Sequence, residues 1–168
     1  GPRQRGQPAE VVRALSERAI SHRDSGCIAR FERCRGVLGA MAGGVDAAIM
    51  VGSGTLANEC VAAALASMRP RRPGLVLVNG EFGARLSELA KRWGLEFKTL
   101  LWDWGGAWNL SELDGALRNL GEGSWVWGVH GETSTGVLNP IDELVSLARA
   151  RGTRVCLDCI STLGSVAI

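Results

Sequence analysis

The chain has 168 residues, of which 46% are hydrophobic and 21% charged, a composition typical of a globular domain with an apolar core. Its formal net charge of +2 is too small to indicate a nucleic acid or a membrane surface as a partner. No apolar run approaches the roughly 20 residues that a membrane-spanning helix needs, and the chain start lacks the apolar stretch of a signal peptide. Five cysteines without an even framework indicate free thiols, so we expect a cytoplasmic protein.

The first part of the chain has a helical pattern. Apolar residues recur at helical spacing over residues 9–20 and 27–41, and the second stretch stops at Gly43-Gly44. We therefore predict an N-terminal helical segment over residues 1–45, followed by one α/β domain over residues 46–168.

Beyond this segment, short apolar strands alternate with amphipathic helices. Strands are predicted over residues 46–51, 75–78, 96–101, 124–129 and 154–160. Helices are predicted over residues 56–67, 82–93, 111–120 and 141–150, with Ser111 as the cap of its helix. The alternation predicts an α/β fold with a mostly parallel sheet and helices on both faces. Ligands of such sheets bind at the carboxyl ends of the strands.

The loop Gly52-Ser53-Gly54-Thr55 between a predicted strand and helix is a candidate phosphate site. Its glycines let backbone N–H groups approach an anion, and the helix start adds a positive dipole end. A tight turn without a ligand is an equal alternative. Gly52-x-Gly54-x-x-Ala57 also matches the dinucleotide fingerprint, but Asn79-Gly80 ends the next strand where that fingerprint places an acid.

Two further strand ends carry residues suited to a ligand. Phe82 stands between Gly80 and Gly83, where an aromatic ring can lie over a planar ligand, although a core role is common for such a residue. His130 begins the polar run Gly131-Glu-Thr-Ser-Thr-Gly136, whose hydroxyls could bind a ligand or simply form a loop.

Asp158 is the single charge in the apolar run 155–160, so a cation or a hydrogen-bond donor must face it. The partner could be an arginine, or the protonated nitrogen of a pyridine ring. Cys156 and Cys159 form a CxxC pattern in the same run, but residues three apart on a strand point to opposite faces. Core packing therefore explains them better than a disulfide or a metal.

In order along the chain, these segments resemble the class V aminotransferases of pyridoxal-phosphate (PLP) fold type I. The nearest in appearance are the alanine–glyoxylate, serine–pyruvate and 2-aminoethylphosphonate–pyruvate aminotransferases. The resemblance is carried by Ser21-His-Arg23, Gly52-Ser-Gly-Thr55, Asn79-Gly-Glu-Phe-Gly83, Gly131-Glu-Thr-Ser-Thr-Gly-Val-Leu-Asn-Pro140 and Asp158-Cys-Ile-Ser-Thr-Leu-Gly164. It implies the large domain of that fold, in part, and PLP as the cofactor.

The resemblance also implies roles for seven residues. Three would hold the phosphate, one would stack on the ring, one would bind the ring hydroxyl, one would pair with the ring nitrogen and one would cover the other ring face. In that order they are Ser53, Gly54 and Thr55, then Phe82, Thr133, Asp158 and Ile160.

The sequence departs from the family in one respect that decides activity. The family's Schiff-base lysine follows the aspartate by some tens of residues, as does a small domain whose arginine binds the substrate carboxylate. The only lysines here, Lys91 and Lys98, precede Asp158 and cannot substitute. We therefore expect no catalytic residue in this chain, and a second polypeptide that completes the fold and supplies the lysine, in a dimer of such pairs.

Three alternatives stay open. The sequence could be a fragment of a longer protein, a noncatalytic regulatory or binding subunit of the same fold, or a Rossmann-type nucleotide-binding domain. The tryptophans give a weaker indication of a partner, because aromatic residues are enriched at interfaces. We expect Trp102 and Trp108 to contact the partner and Trp104 to pack within the domain.

Overall fold

The computed structural model describes residues 7–44 and 46–166, which divide into two units. One unit contains residues 7–40, 44 and 46–48, and the other contains residues 41–43 and 49–166. Residues 1–6, 45, 167 and 168 lie outside the described part. The predicted segments 1–45 and 46–168 begin, meet and end at residues of this group.

The first unit is built on two helices, α1 (Ala9–Ser16) and α2 (Ser25–Met41). Helix α1 buries no residue within the described chain, and Leu15 is 73% exposed. After α2 the chain is held by Arg35, whose guanidinium donates to the Ala47 carbonyl at 2.8 Å and pairs with Asp46. This ion pair raises the pKa of Arg35 and lowers that of Asp46.

The prediction of a strand over residues 46–51 is wrong. Residues 46–50 have no regular structure, and Val51 is fully exposed. A strand is stable only when a neighbouring strand pairs with its backbone, and no strand of the described sheet pairs with this segment. Its apolar composition alone could not supply that partner.

The second unit is centred on a four-stranded parallel sheet. Its strands are β1 (Gly74–Val78), β2 (Phe97–Leu101), β3 (Trp125–Val129) and β6 (Arg154–Asp158). Their order in the sheet is β2-β1-β3-β6. A short antiparallel hairpin that the sequence did not predict, β4 (Gly131–Glu132) with β5 (Val137–Leu138), follows β3. Every residue of the two central strands is buried, whereas those of the edge strands are mostly part-buried or exposed.

Helices cover both faces of the sheet, as predicted. They are α3 (Gly54–Ser67), α4 (Glu81–Arg92), α5 (Leu110–Arg118) and α6 (Ile141–Arg149). One core contains buried residues of α3 and α4 with Trp125 and Trp127 of β3. The other core contains Trp108 and buried residues of α5 and α6. No helix in the described part of the chain is long and apolar enough to cross a membrane.

Two local predictions need correction. Helix α5 begins at Leu110 and is capped by Asn109, not by Ser111, because the Asn109 Oδ1 accepts from the backbone N–H groups of Ser111 and Glu112 at 3.0 and 3.1 Å. The burial expected for Trp104 and Trp108 is also wrong. Trp108 is only 4% exposed and packs in the core, whereas Trp104 is 60% exposed. Trp102 packs beside Trp108, with ring centroids 6.3 Å apart.

Candidate functional site

The carboxyl ends of the parallel strands bring most of the predicted site residues together. Thr55, Phe82, Asp158 and Ile160 line one cavity of about 440 Å³. A small adjoining cavity of about 60 Å³ is lined by Thr133 together with Phe82, Asp158 and Ile160. Residues that are 103 positions apart in the sequence (55 and 158) thus face the same space.

The start of helix α3 lies against the segment that follows β6. A Cβ added to Gly54 would lie 2.1 Å from the Ile160 Cδ1, so only glycine fits without displacing that side chain. Ser53 precedes the helix, and its side chain makes no capping hydrogen bond. Its hydroxyl and the first N–H groups of α3 therefore remain available as donors to an anion.

Asp158 is 8% exposed and is held by two hydrogen bonds. The Asn58 Nδ2 donates to its Oδ2 at 2.8 Å, and the Ile160 backbone N–H donates to its Oδ1 at 3.1 Å. No ion pair to Asp158 exists among the described residues, so the arginine that the sequence left open is not its partner. The carboxylate is oriented by these bonds while it lines the cavity.

Sequence reasoning missed Asn58. This residue lies one turn after Thr55 on helix α3, so both side chains are on one helix face, and both line the cavity. The available signal was an amide that follows four small or apolar residues at the helix start, Gly54-Thr-Leu-Ala-Asn58. Its partner could not be read from spacing, because Asp158 is 100 residues further along the chain.

Glu132 is the second residue whose role was missed. It is completely buried, and its carboxylate accepts from the Gly83 N–H at 3.0 Å and from the Ser134 hydroxyl at 2.5 Å. Weaker contacts join it to the Phe82 and Ser134 N–H groups at 3.4 and 3.3 Å. The buried charge therefore sits at the start of helix α4, where the helix dipole favours an anion.

A buried amide pair fixes the loops behind the site. The Asn79 Nδ2 donates to the Asn139 Oδ1 and to the Gly106 carbonyl, both at 2.8 Å. The Asn139 Nδ2 donates to the Val129 carbonyl at 2.8 Å. These bonds join the ends of β1 and β3 to the loop after β2, so the strand ends cannot separate without leaving buried polar groups unpaired.

Two apolar side chains border the site. Phe82 is half-buried at the start of α4, and the guanidinium of Arg85 lies 5.2 Å from its ring centroid. Ile160 follows Asp158 and is 66% exposed. The site thus combines helix-start donors, two apolar surfaces and an oriented carboxylate, which suits a planar, phosphorylated ring with a basic nitrogen.

Neither the two cysteines near Asp158 nor the two lysines supply a reactive group at this site. Burial raises the pKa of the Cys156 thiol to about 11, and it also raises the pKa of Cys159, so both favour the thiol form over the nucleophilic thiolate. The exposed Lys91 pairs with Glu88 at 2.7 Å, and Lys98 lines a different cavity beside β2. Among the described residues no group of three or more His, Cys, Asp or Glu side chains could hold a metal ion.

Comparison with known proteins identifies the family. Residues 9–168 match the family described as Aminotransferase class-V. The chain belongs to that family. It is 38% identical over 133 residues to the 2-aminoethylphosphonate–pyruvate transaminase of Burkholderia thailandensis, covering 76% of this chain and 35% of that protein. The corresponding transaminase of Vibrio cholerae is 33% identical over 123 residues, covering 73% of this chain and 33% of that protein.

Solved structures give the same result for the fold. An alanine–glyoxylate aminotransferase from Nostoc sp. superposes with a TM-score of 0.83 at 30% identity, covering 95% of this chain and 42% of that one. An aspartate aminotransferase of subgroup IV from Thermus thermophilus superposes with a TM-score of 0.82 at 28% identity, covering 96% and 46%. The predicted α/β class and PLP fold type I are confirmed. The chain spans about a third of the length of the curated relatives that it matches.

The structure around the glycine turn bears on the dinucleotide alternative. That fingerprint requires its glycine turn to follow a strand directly. Residues 46–50, which precede Gly52-x-Gly54-x-x-Ala57, form no strand. The requirement is not met.

Proposed function

We propose that this chain is the PLP-binding part of a class V aminotransferase, which transfers an amino group between an amino compound and a 2-oxo acid. The observation that carries the proposal is the shared cavity of Thr55, Phe82, Asp158 and Ile160. The names of the relatives favour 2-aminoethylphosphonate and pyruvate as the first substrate pair to test.

Each site residue has a role in this proposal. Ser53, Gly54 and Thr55 donate to the phosphate at the start of α3, where the dipole stabilises its charge. Phe82 and Ile160 cover the two faces of the ring. These contacts fix the ring plane and exclude water from it.

The two remaining residues bind the polar atoms of the ring. Thr133 donates its hydroxyl to the ring hydroxyl, and Asp158 accepts from the protonated ring nitrogen. Asn58 keeps the Asp158 carboxylate turned toward that nitrogen through the bond at 2.8 Å. When bound, PLP supplies an electron sink that a protonated nitrogen strengthens.

The proposal includes a second polypeptide that supplies the reactive lysine and the substrate-binding domain. The second polypeptide is proposed because neither Lys91 nor Lys98 lines the two cavities at the strand ends. A dimer of such pairs in the cytoplasm is part of the proposal, without nucleic acid or membrane as a partner. The five free cysteines support a reducing compartment.

Titration of the purified chain with PLP, followed by absorbance and by quenching of tryptophan fluorescence, tests cofactor binding. We expect saturable binding that Asp158→Ala weakens about tenfold or more, since a hydrogen bond to a charged group contributes roughly 1.5–3 kcal/mol. The control Asp142→Ala, at an exposed position in the first turn of α6, should bind as the parent does. Saturation by NAD but not by PLP would refute the proposal in favour of a nucleotide site.

Mass spectrometry after borohydride reduction tests the lysine. Chains that co-purify with this one, or the following segment of a longer protein, should carry PLP covalently on a lysine. A complex that contains no PLP and is unaffected by Asp158→Ala would instead identify a noncatalytic subunit.

A further inference from the structure

We propose that Glu132 is a positioning residue, which holds the ring-stacking Phe82 and the hydroxyl donor Thr133 in one fixed arrangement. This inference rests on the proposed function, since it assigns the two residues to one cofactor ring. Glu132 itself lines neither of the cavities at the site, so it acts through its neighbours.

The hydrogen bonds of Glu132 end on the backbone that carries Phe82. Its Oε1 lies 3.4 Å from the Phe82 nitrogen, and its Oε2 accepts from the next N–H, of Gly83, at 3.0 Å. Ser134 extends the same junction, because its hydroxyl accepts from the Glu81 N–H at 3.0 Å. The first three N–H groups of α4 are therefore all bonded to residues 132–134.

Glu132 also fixes the position of Thr133, through hydrogen bonds to the residues that follow it in the turn. Glu132 and Ser134 flank Thr133, and their side chains are joined by the 2.5 Å hydrogen bond. The turn closes through the Thr135 and Gly136 N–H groups, which donate to the Glu132 carbonyl at 3.1 and 2.9 Å. A change at the Glu132 carboxylate would therefore move Phe82 and Thr133 relative to each other.

Burial makes Glu132 unusual for a simple helix cap. Its side chain is 0% exposed, and no arginine, lysine or histidine pairs with it in the described chain. A buried carboxylate is costly unless hydrogen bonds stabilise it, and an exposed serine or aspartate could cap α4 equally well. The buried position is explained if the carboxylate must reach α4 from the β4–β5 hairpin, whose turn carries Thr133.

Gly80 offers a second way to disturb this junction. A Cβ added to Gly80 would lie 2.4 Å from the Glu132 Cγ and 2.8 Å from the Ser134 Oγ. Its φ of −179° is extended backbone that any residue adopts, so Gly80→Ala acts through this contact alone. The variant displaces the carboxylate without changing its chemistry.

Hydrogen exchange and ligand titration of Glu132→Gln and Gly80→Ala test the inference. Exchange of at least one of the Phe82 and Gly83 amides should accelerate about tenfold or more in each variant, because Glu132→Gln leaves only one acceptor oxygen and Gly80→Ala displaces the carboxylate. PLP affinity should fall about tenfold, while affinity for inorganic phosphate at the start of α3 should stay within twofold. The control Glu143→Gln removes an exposed carboxylate from the first turn of α6 and should change neither measurement.

The outcomes separate the two proposals. Unchanged exchange at Phe82 and Gly83 overturns the role of Glu132, even when PLP binds well. Faster exchange with unchanged PLP affinity also overturns it, and leaves Glu132 as a helix cap only. A parent chain that binds phosphate but not PLP refutes the proposed function, while the exchange data still decide whether Glu132 fixes α4.

Discussion

Asn58→Ala removes the only side chain that donates to Asp158 in the described structure. The Asp158 Oδ2 then keeps its buried position but loses its partner at 2.8 Å. Asp158 is 8% exposed, so water can replace the amide only in part. The substitution therefore tests how strongly the fold depends on the orientation of this one carboxylate.

The expected loss follows from the charge of the acceptor. A hydrogen bond to a charged group contributes about 1.5–3 kcal/mol, and a charged acceptor left unpaired in the interior loses at least that much. We expect Asn58→Ala to lower the free energy of unfolding by about 2 kcal/mol, which is a large fraction of the 5–15 kcal/mol typical of a domain.

Urea unfolding followed by fluorescence of the six tryptophans measures this loss. A double-mutant cycle with Asp158→Ala isolates the pair, with an expected interaction free energy of about 1.5–3 kcal/mol. Asn119→Ala is the matched control, because Asn119 is exposed and its Nδ2 donates to the Gly115 carbonyl. An interaction below about 0.5 kcal/mol would refute the reasoning, since Asp158 would then be stabilised by water.

Two further predictions concern stability. Burial lowers the pKa of His130 below its ordinary 6.5, and the charge of Asp142 opposes this only weakly. As the pH falls, the imidazole is therefore protonated in the unfolded chain before it is protonated in the folded one, and the free energy of unfolding should decrease below pH 6.5 by up to about 1.4 kcal/mol per pH unit. An equal dependence of this free energy on pH in His130→Gln would contradict the prediction. Asn109→Ala should cost about 1 kcal/mol in urea unfolding through loss of the α5 cap, and Ser111→Ala should cost clearly less.

The central strands were predictable because their environment admits one solution. Residues 75–78 and 125–129 are continuous runs without a polar side chain and have strand length, and such runs are stable when helices cover both faces of a parallel sheet. All five residues of β1 and of β3 are buried accordingly. The edge strand β2 was also predictable, because it lies between two predicted helices, 82–93 and 111–120, where the alternation of strands and helices requires a strand.

Residues 46–51 show where this reasoning fails. After Asp46 they are as continuously apolar as the central strands, yet residues 46–50 form no strand. A strand needs a neighbour that accepts and donates along its whole backbone, and that neighbour is a property of the assembled sheet. Apolar composition predicts burial but leaves the pairing undetermined.

The site was only partly predictable for a related reason. Asp158 could be recognised because a lone charge in an apolar run requires a partner, and the glycine turn because a helix start attracts anions. The hydrogen bonds that hold the site connect residues that are 100 positions apart for Asn58 and Asp158, and 49 apart for Gly83 and Glu132. Such pairs follow from the order of the strands and cannot be derived from local spacing.

Glu132 and Asp158 are two buried carboxylates at one edge of the sheet, and they differ in the hydrogen bonds that they accept. A carboxylate has about four lone-pair sites. Glu132 has contacts to four donors, the N–H groups of Phe82, Gly83 and Ser134 and the Ser134 hydroxyl, and it lines neither cavity at the strand ends. Asp158 accepts from two, Asn58 and the Ile160 N–H, and it faces the cavity. Asp158 therefore has acceptor capacity that a ligand can reach, whereas the carboxylate of Glu132 is completely buried, so of the two only Asp158 suits the ring nitrogen of the proposed cofactor.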